Sequence, residues 1–221
     1  SCDITCKVCR YNLEPLDHNI ELKARTVELG KTLPRQKEIM ETLQKEKTML
    51  PGRKKEDRTK WLSDFKVKNL AKDKAEVLFF PGCKFSYDEG FKKTALAALK
   101  ILIQAGVDVG VLGGSDNCCA GRAYQMGFKD DFSKAAEANI KIFESAGVKT
   151  IVTPCSDCYH TFKRQYPKYG YNVEVLHTVE YFDRLIKEGK IKFTKKVPIR
   201  VTYHDPCHLG RLGEPYVPWE G

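Results

Sequence analysis

Residues 77–83 read VLFFPGC: four apolar residues, a Pro-Gly breaker and then a cysteine. A short apolar run stopped in this way predicts a strand buried on both faces, with Cys83 just beyond its carboxyl end. The same punctuation recurs along the chain. Residues 107–112 form a second run, broken by Gly113-Gly114 and followed by Cys118-Cys119. Residues 148–152 form a third, ending at Pro154 and Cys155, and residues 199–203 a fourth, ending at Pro206 and Cys207. Between the first three lie helical patterns: residues 89–105, with Phe91, Ala95, Leu99 and Leu102 on one face, and residues 132–146, with Phe132, Ala136, Ile140 and Phe143. Strand alternating with helix predicts an α/β domain on a parallel sheet, and such sheets gather ligands outside the carboxyl ends of their strands. The cysteine blocks between residues 83 and 158 would then converge on one crevice.

Those blocks give the spacing C-x34-C-C-x35-C-x2-C through Cys83, Cys118, Cys119, Cys155 and Cys158. Three chemistries compete for it. A disulfide framework belongs to small secreted domains. The 221 residues, the odd total of nine cysteines and the lack of a signal-peptide pattern speak against that class. Zinc takes four ligands in a tetrahedron, and an adjacent pair with a fifth thiol suits it poorly. An iron-sulfur cluster presents several irons close together, so neighbouring thiolates can each find an iron or bridge two. The array points to an iron-sulfur redox site.

The segments PGCKFSYDEG, SDNCCAGRAYQMG and PCSDCYHTF resemble the CCG cysteine-rich domain. That domain occurs in catalytic subunits (B/D type) of heterodisulfide reductase, in related subunits of sulfate-respiring membrane complexes, and in iron-sulfur subunits of glycolate, lactate and glycerol-3-phosphate oxidation. The resemblance is close over residues 77 to about 159. It implies a Rossmann-like parallel-sheet fold and a noncubane 4Fe-4S cluster on Cys83, Cys118, Cys119, Cys155 and Cys158, which would also be the catalytic set. The reaction implied is reduction of a disulfide or related thiol substrate. An electron-relay subunit between a flavoprotein dehydrogenase and quinone is the alternative. The usual Cys-Cys-Gly reads Cys-Cys-Ala-Gly here, and a positive φ at Ala120 would be strained.

Such domains come in pairs. Residues 203–211, YHDPCHLGR, resemble the opening of a second repeat, with Cys207 in the place of Cys83. The chain stops at Gly221 before a second adjacent pair, so either the rest of that repeat is missing or Cys207 is a buried thiol; truncation is the expectation, since Tyr216-Val217-Pro218-Trp219 would make an unusual apolar tail. At the other end, Cys2 and Cys6 resemble the close of a ferredoxin-type C-x2-C-x2-C-x3-C motif begun upstream of residue 1, which implies at least one cubane 4Fe-4S cluster. Cys9 is extra and, with Cys2, Cys6 and Cys207, a candidate cofactor-binding thiol, and the usual proline after the last ligand is absent. C-x3-C-x2-C is also the radical-SAM spacing, but that motif belongs to a much longer barrel. The expected organisation is therefore residues 1–30 as the end of a ferredoxin-like module with a helix from Leu16, residues 31–74 as a basic connector, residues 75–196 as the first CCG domain, and residues 197–221 as the start of a second.

The connector holds fourteen Lys and Arg against seven Asp and Glu, a net +7 within a chain total of +9. A helix over residues 38–50 and a charged loop over residues 53–60 are expected there. No nucleic-acid motif or aromatic platform accompanies the lysines, so the run reads as a solvated face or a dock for an acidic redox partner. The partners implied are a flavoprotein, an electron-transferring flavoprotein or a haem-bearing membrane subunit, with a small-molecule disulfide as substrate. No apolar stretch reaches the eighteen or so residues of a membrane span, so membrane contact is expected only through a partner, and the expected location is the cytoplasm. Near the site, His160, His204 and His208 read as proton donors or as hydrogen bonders to the cysteine loops. Arg122 reads as thiolate compensation or a plain salt bridge, and Lys84 as an anion attractor or a solvated lysine.

Overall fold

The computed structural model describes residues 10–11, 15–62, 65, 67–210 and 212. Cys2, Cys6 and Cys9 lie outside the described residues, as do residues 216–219.

Five strands form one sheet: β1 (Lys68–Asn69), β2 (Val77–Phe79), β3 (Val109–Val111), β4 (Thr150–Thr153) and β5 (Glu174–His177). Their order is β1-β3-β2-β4-β5, and every neighbouring pair is parallel. The sheet confirms the α/β reading. Central β2 has Leu78 opposite Gly110 of β3 and Ile151 of β4. All three of its residues are buried, as expected of a strand covered on both faces.

Side-chain alternation along β2 divides the core into two layers. Leu78 and Phe80 pack in one layer with Phe132, Ala136, Ile140 and Phe143 of the helix Lys129–Ser145. Val77 and Phe79 pack in the other with Ala95, Leu99 and Leu102 of the helix Glu89–Gln104 and with Leu185 of the helix Thr178–Lys187. The helix Glu89–Gln104 starts where the Asp88 carboxylate accepts the amide hydrogens of Gly90 and Phe91 at 3.0 and 3.3 Å. Phe91, expected on its buried face, is 43% exposed and meets Phe85 edge to face.

In chain order the helices are α1 (Pro15–Glu28), α2 (Pro34–Glu46), α3 (Gly82–Tyr87), α4 (Glu89–Gln104), α5 (Gly121–Gln125), α6 (Lys129–Ser145), α7 (Ser156–His160), α8 (Thr178–Lys187) and α9 (Cys207–Gly210). The expected charged loop at residues 53–60 is largely the 3-10 helix Lys55–Leu62. Met40, Leu43 and Met49 from the lysine-rich segment are buried in the same layer as Phe80 and Phe132.

One strand expectation fails. Residues 199–203 pair with no strand among the described residues, and Ile199, Val201 and Tyr203 are exposed. An alternating apolar run becomes a strand only where a neighbour completes its hydrogen bonds and a layer covers its apolar face. The place beside β4 is taken by β5, which the sequence reading passed over because its apolar run is short and begins at a glutamate.

Candidate metal centre

Parallel neighbours β3, β2 and β4 deliver their carboxyl ends side by side, and each delivers cysteine. Cys83 lies in the first turn of α3, directly after β2. Cys118 and Cys119 occupy the loop between β3 and α5. Cys155 precedes α7 and Cys158 lies in it, both just after β4. Two of the three loops meet sulfur to sulfur. Cys158 Sγ donates to Cys119 Sγ at 3.4 Å. Cys83 and Cys118, Cys118 and Cys119, and Cys155 and Cys158 are near enough to shift one another's protonation. The result is an unbroken chain of five interacting thiols, Cys83–Cys118–Cys119–Cys158–Cys155.

Within this chain the protons are unevenly shared. Hydrogen bonds from Cys118 and Cys158 push the Cys119 thiol down to about 6, and one from Cys158 lowers Cys155. Contact with its neighbouring sulfurs, then burial, pushes Cys158 well up, and Cys83 rises through Cys118 and burial. Thiolate is the metal-binding form, so a site that already stabilises it at neutral pH suits a thiophilic metal. Among the described residues no three ligating side chains are grouped for a single ion. Five cysteines on three adjacent strand ends offer more thiolates than the four ligands a single zinc ion takes, and suit a group with several metal atoms.

The backbone leaves room for sulfur. Gly82 has φ +73, and a Cβ there would stand 2.8 Å from Cys158 Sγ. Ala120 adopts φ 59, the left-handed conformation the sequence marked as strained, and its N–H donates to Cys118 Sγ at 3.4 Å. Gly121 follows because any Cβ would collide with Thr161 Oγ1.

Two side chains that sequence reasoning missed fix these loops. Asn139, buried in α6, donates from Nδ2 to the Cys118 carbonyl at 2.9 Å and accepts the Asn117 N–H at 3.1 Å. Its only sequence signal is a polar residue inside the apolar face of Phe132, Ala136, Ile140 and Phe143. Arg58, from the 3-10 helix Lys55–Leu62, is 0% exposed. Its Nη2 donates to the Lys47 carbonyl at 3.0 Å and reaches Cys83 Sγ at 3.5 Å, while the same carbonyl accepts the Cys118 N–H at 2.8 Å. Nothing in the sequence separates Arg58 from the other basic residues around it.

Around the rim, Arg122 pairs with Asp157 at 3.2 Å, the salt-bridge alternative. His208 on α9 also bonds to Asp157 and stacks on His160, with ring centroids 5.2 Å apart. Burial pushes the His160 imidazole down to about 4, so it is neutral at physiological pH. His204 is exposed. Lys84 bonds to Asp88 at 2.8 Å and lies over the Phe91 ring. Cys207 opens α9, which packs against α7.

Family comparison matches residues 77–163 to the cysteine-rich domain CCG, the segment that carries all five thiols. Residues 77–163 are a CCG domain. The EtfAB:quinone oxidoreductase of Syntrophomonas wolfei is 37% identical over 136 residues, 62% of this chain and 19% of the relative. The D-type polypeptide of the dihydromethanophenazine:CoB--CoM heterodisulfide reductase of Methanosarcina mazei is 35% identical over 162 residues, 70% of this chain and 38% of the relative. The probable iron-sulfur-binding oxidoreductase FadF of Bacillus subtilis is 36% identical over 154 residues, 69% of this chain and 22% of the relative. The chain thus spans well under half the length of these relatives. No solved structure gives a significant match. Among the described residues no helix is long and apolar enough to cross a membrane.

Proposed function

We propose that the chain is part of an iron-sulfur oxidoreductase in which Cys83, Cys118, Cys119, Cys155 and Cys158 of the CCG domain hold one noncubane 4Fe-4S cluster. The observation that carries this reading is the convergence of five interacting thiols at the ends of three adjacent parallel strands. The glycine cradle at Gly82 and the buried cation at Arg58 fit such a group, which is rich in thiolate charge. When bound, the cluster supplies one-electron redox chemistry, here directed at the sulfurs of a small-molecule disulfide.

The chain's own residues do the rest. Cys118, Cys119 and Cys158 are buried and shut water from one side, whereas Cys83 and Cys155 are partly exposed and mark the side from which a substrate approaches. Asn139 and the Lys47 carbonyl hold the Cys118-Cys119 loop in place. Cys2 and Cys6 would hold a cubane 4Fe-4S cluster, which would supply one-electron redox chemistry next to a flavoprotein or haem-bearing partner subunit. A second reading, in which the same site relays electrons to quinone without binding a disulfide, is favoured by the 37% identity to the EtfAB:quinone oxidoreductase.

The test is anaerobic reconstitution of the full chain followed by iron and sulfide analysis. About four irons with matching sulfide should bind in the five-cysteine site, and Cys119→Ala should abolish that fraction. Stoichiometric zinc without sulfide would overturn the reading. Reoxidation of the reduced protein by low-molecular-weight disulfides, but not by a quinone analogue, decides for the reductase over the relay.

A further inference from the structure

Arg58 is the largest fully buried side chain in the described structure, and charged residues are almost never wholly buried unless they are paired. Its pairing is incomplete. Nη1 stands 3.6 Å from the Asp116 carboxylate, near enough for charge attraction but too far for a hydrogen bond. Nη1, Nε and Asp116 Oδ2 have no hydrogen-bond partner among the described residues. Nη2 is engaged by the Lys47 carbonyl and lies 3.5 Å from Cys83 Sγ, and the Tyr87 ring lies 5.8 Å from the guanidinium carbon. A buried ion pair of such loose geometry costs more desolvation than it returns in attraction. As a device for stability alone, the arrangement is a poor one.

The charge makes sense once its other neighbours are counted. Cys83 and Cys118 both lie within electrostatic reach of the guanidinium, together with Asp116. These are two of the five proposed ligands, and they come from two different strand ends. Lys55, the neighbouring cation, is turned to Asn117 Oδ1 at 2.9 Å instead of to sulfur. Resting on the cluster reading above, we propose that Arg58 is a positioning residue. It keeps one positive charge against Cys83 and Cys118, raises the reduction potential of the cluster they hold, and is itself moderated by Asp116. Reduction adds one electron, supplied by an external reductant, to a centre already ringed by thiolates; a fixed cation favours that more negative state, and a fixed anion opposes it.

Redox titration of the anaerobically reconstituted full chain with dithionite, read by electron paramagnetic resonance, tests this through opposite signs. Arg58→Met should keep wild-type iron and sulfide content and move the midpoint to a more negative potential. At least a tenfold change in the reduction equilibrium is expected, which for one electron is about 59 mV. Arg58→Lys, which keeps the charge, should recover most of that shift. Asp116→Asn is nearly isosteric and should move the midpoint the other way, to a more positive value. A purely structural Arg58 would lower thermal stability in Arg58→Met and leave the potential where it was, and that result would overturn the proposal. A negative or absent shift in Asp116→Asn would overturn it too, and decides the matter even if Arg58→Met fails to fold. Wild-type protein that takes up no iron would instead overturn the cluster reading itself, and this proposal with it.

Discussion

Asn139 Nδ2 lies 2.9 Å from the carbonyl oxygen of Cys118, so a helix on one face of the sheet holds the adjacent cysteine pair by its backbone. The same amide nitrogen lies 3.0 Å from Tyr166 Oη, which in turn donates to the Cys119 carbonyl at 3.3 Å. Both cysteines of the pair are therefore tied to the protein through their main-chain oxygens.

Asn139→Leu should cost roughly 2–5 kcal/mol, because it leaves the Asn117 N–H and the Cys118 carbonyl buried without partners. Tyr166→Phe keeps the ring packing and loses the longer 3.3 Å bond to the Cys119 carbonyl and the 3.0 Å bond from Asn139, and should cost less, about 1–2 kcal/mol. Denaturant unfolding measures both. Equal losses in the two variants would show that the Tyr166 hydroxyl holds the loop as firmly as the Asn139 amide does.

Gly82→Ala should be costlier than an ordinary glycine substitution. At φ +73 an alanine costs about 1–2 kcal/mol in backbone strain alone. The added methyl must also displace Cys158 Sγ. Gly147→Ala is the control, since Gly147 has φ +68 and nothing within 4 Å of the new methyl. Both variants should lose the backbone contribution, but only Gly82→Ala should also lose iron on reconstitution. Identical iron content in the two would remove Gly82 from the metal centre.

Ala120 holds a left-handed conformation, φ 59 and ψ 12, with its methyl fully buried. Ala120→Gly relieves about 1 kcal/mol of strain and forfeits about 0.8 kcal/mol of methyl burial, so its unfolding midpoint should barely move. Ala120→Val, β-branched in the same conformation and without space, should lose several times as much, about 3 kcal/mol or more. A large gain from Ala120→Gly would mean that the strain is greater than these conformational costs allow.

The strand-end logic was legible because apolar run, breaker and cysteine follow one another within a few residues, as in residues 77–83. Parallel pairing then follows from the intervening helices. The departure at Ala120 was legible too, since only a small residue tolerates the turn. Arg58 was not, because its burial depends on where the 3-10 helix Lys55–Leu62 lands, and that is a tertiary outcome. Asn139 left a faint trace as a polar interruption of an apolar face. Residues 199–203 misled because alternation states what a strand would bury but not whether a partner is present.

His177 joins the end of β5 to the cysteine loops, and its bonds fix its tautomer. Nδ1 accepts the Val179 N–H at 3.4 Å as a cap on α8, which leaves Nε2 as the donor to the Pro154 carbonyl at 3.0 Å, next to Cys155. Burial lowers the imidazole pKa from 6.5. The unfolded chain therefore binds a proton that the folded chain refuses, so the stabilisation is complete above about pH 6.5 and declines as pH falls below it. His160, pushed down to about 4 by burial, acts with the same sign. Protonating His177 also removes the α8 cap, so the loss reaches the loop that carries Cys155. His177→Asn can still cap the helix and does not titrate. Its unfolding midpoint in urea should sit within about 1 kcal/mol of wild type at pH 7. Between pH 7 and pH 5 it should fall less than wild type, the remaining slope belonging to His160 and to the Cys119 thiol held down to about 6. A wild-type midpoint that stays level over that interval, or a variant as steep as wild type, would exclude His177 as a source of acid sensitivity.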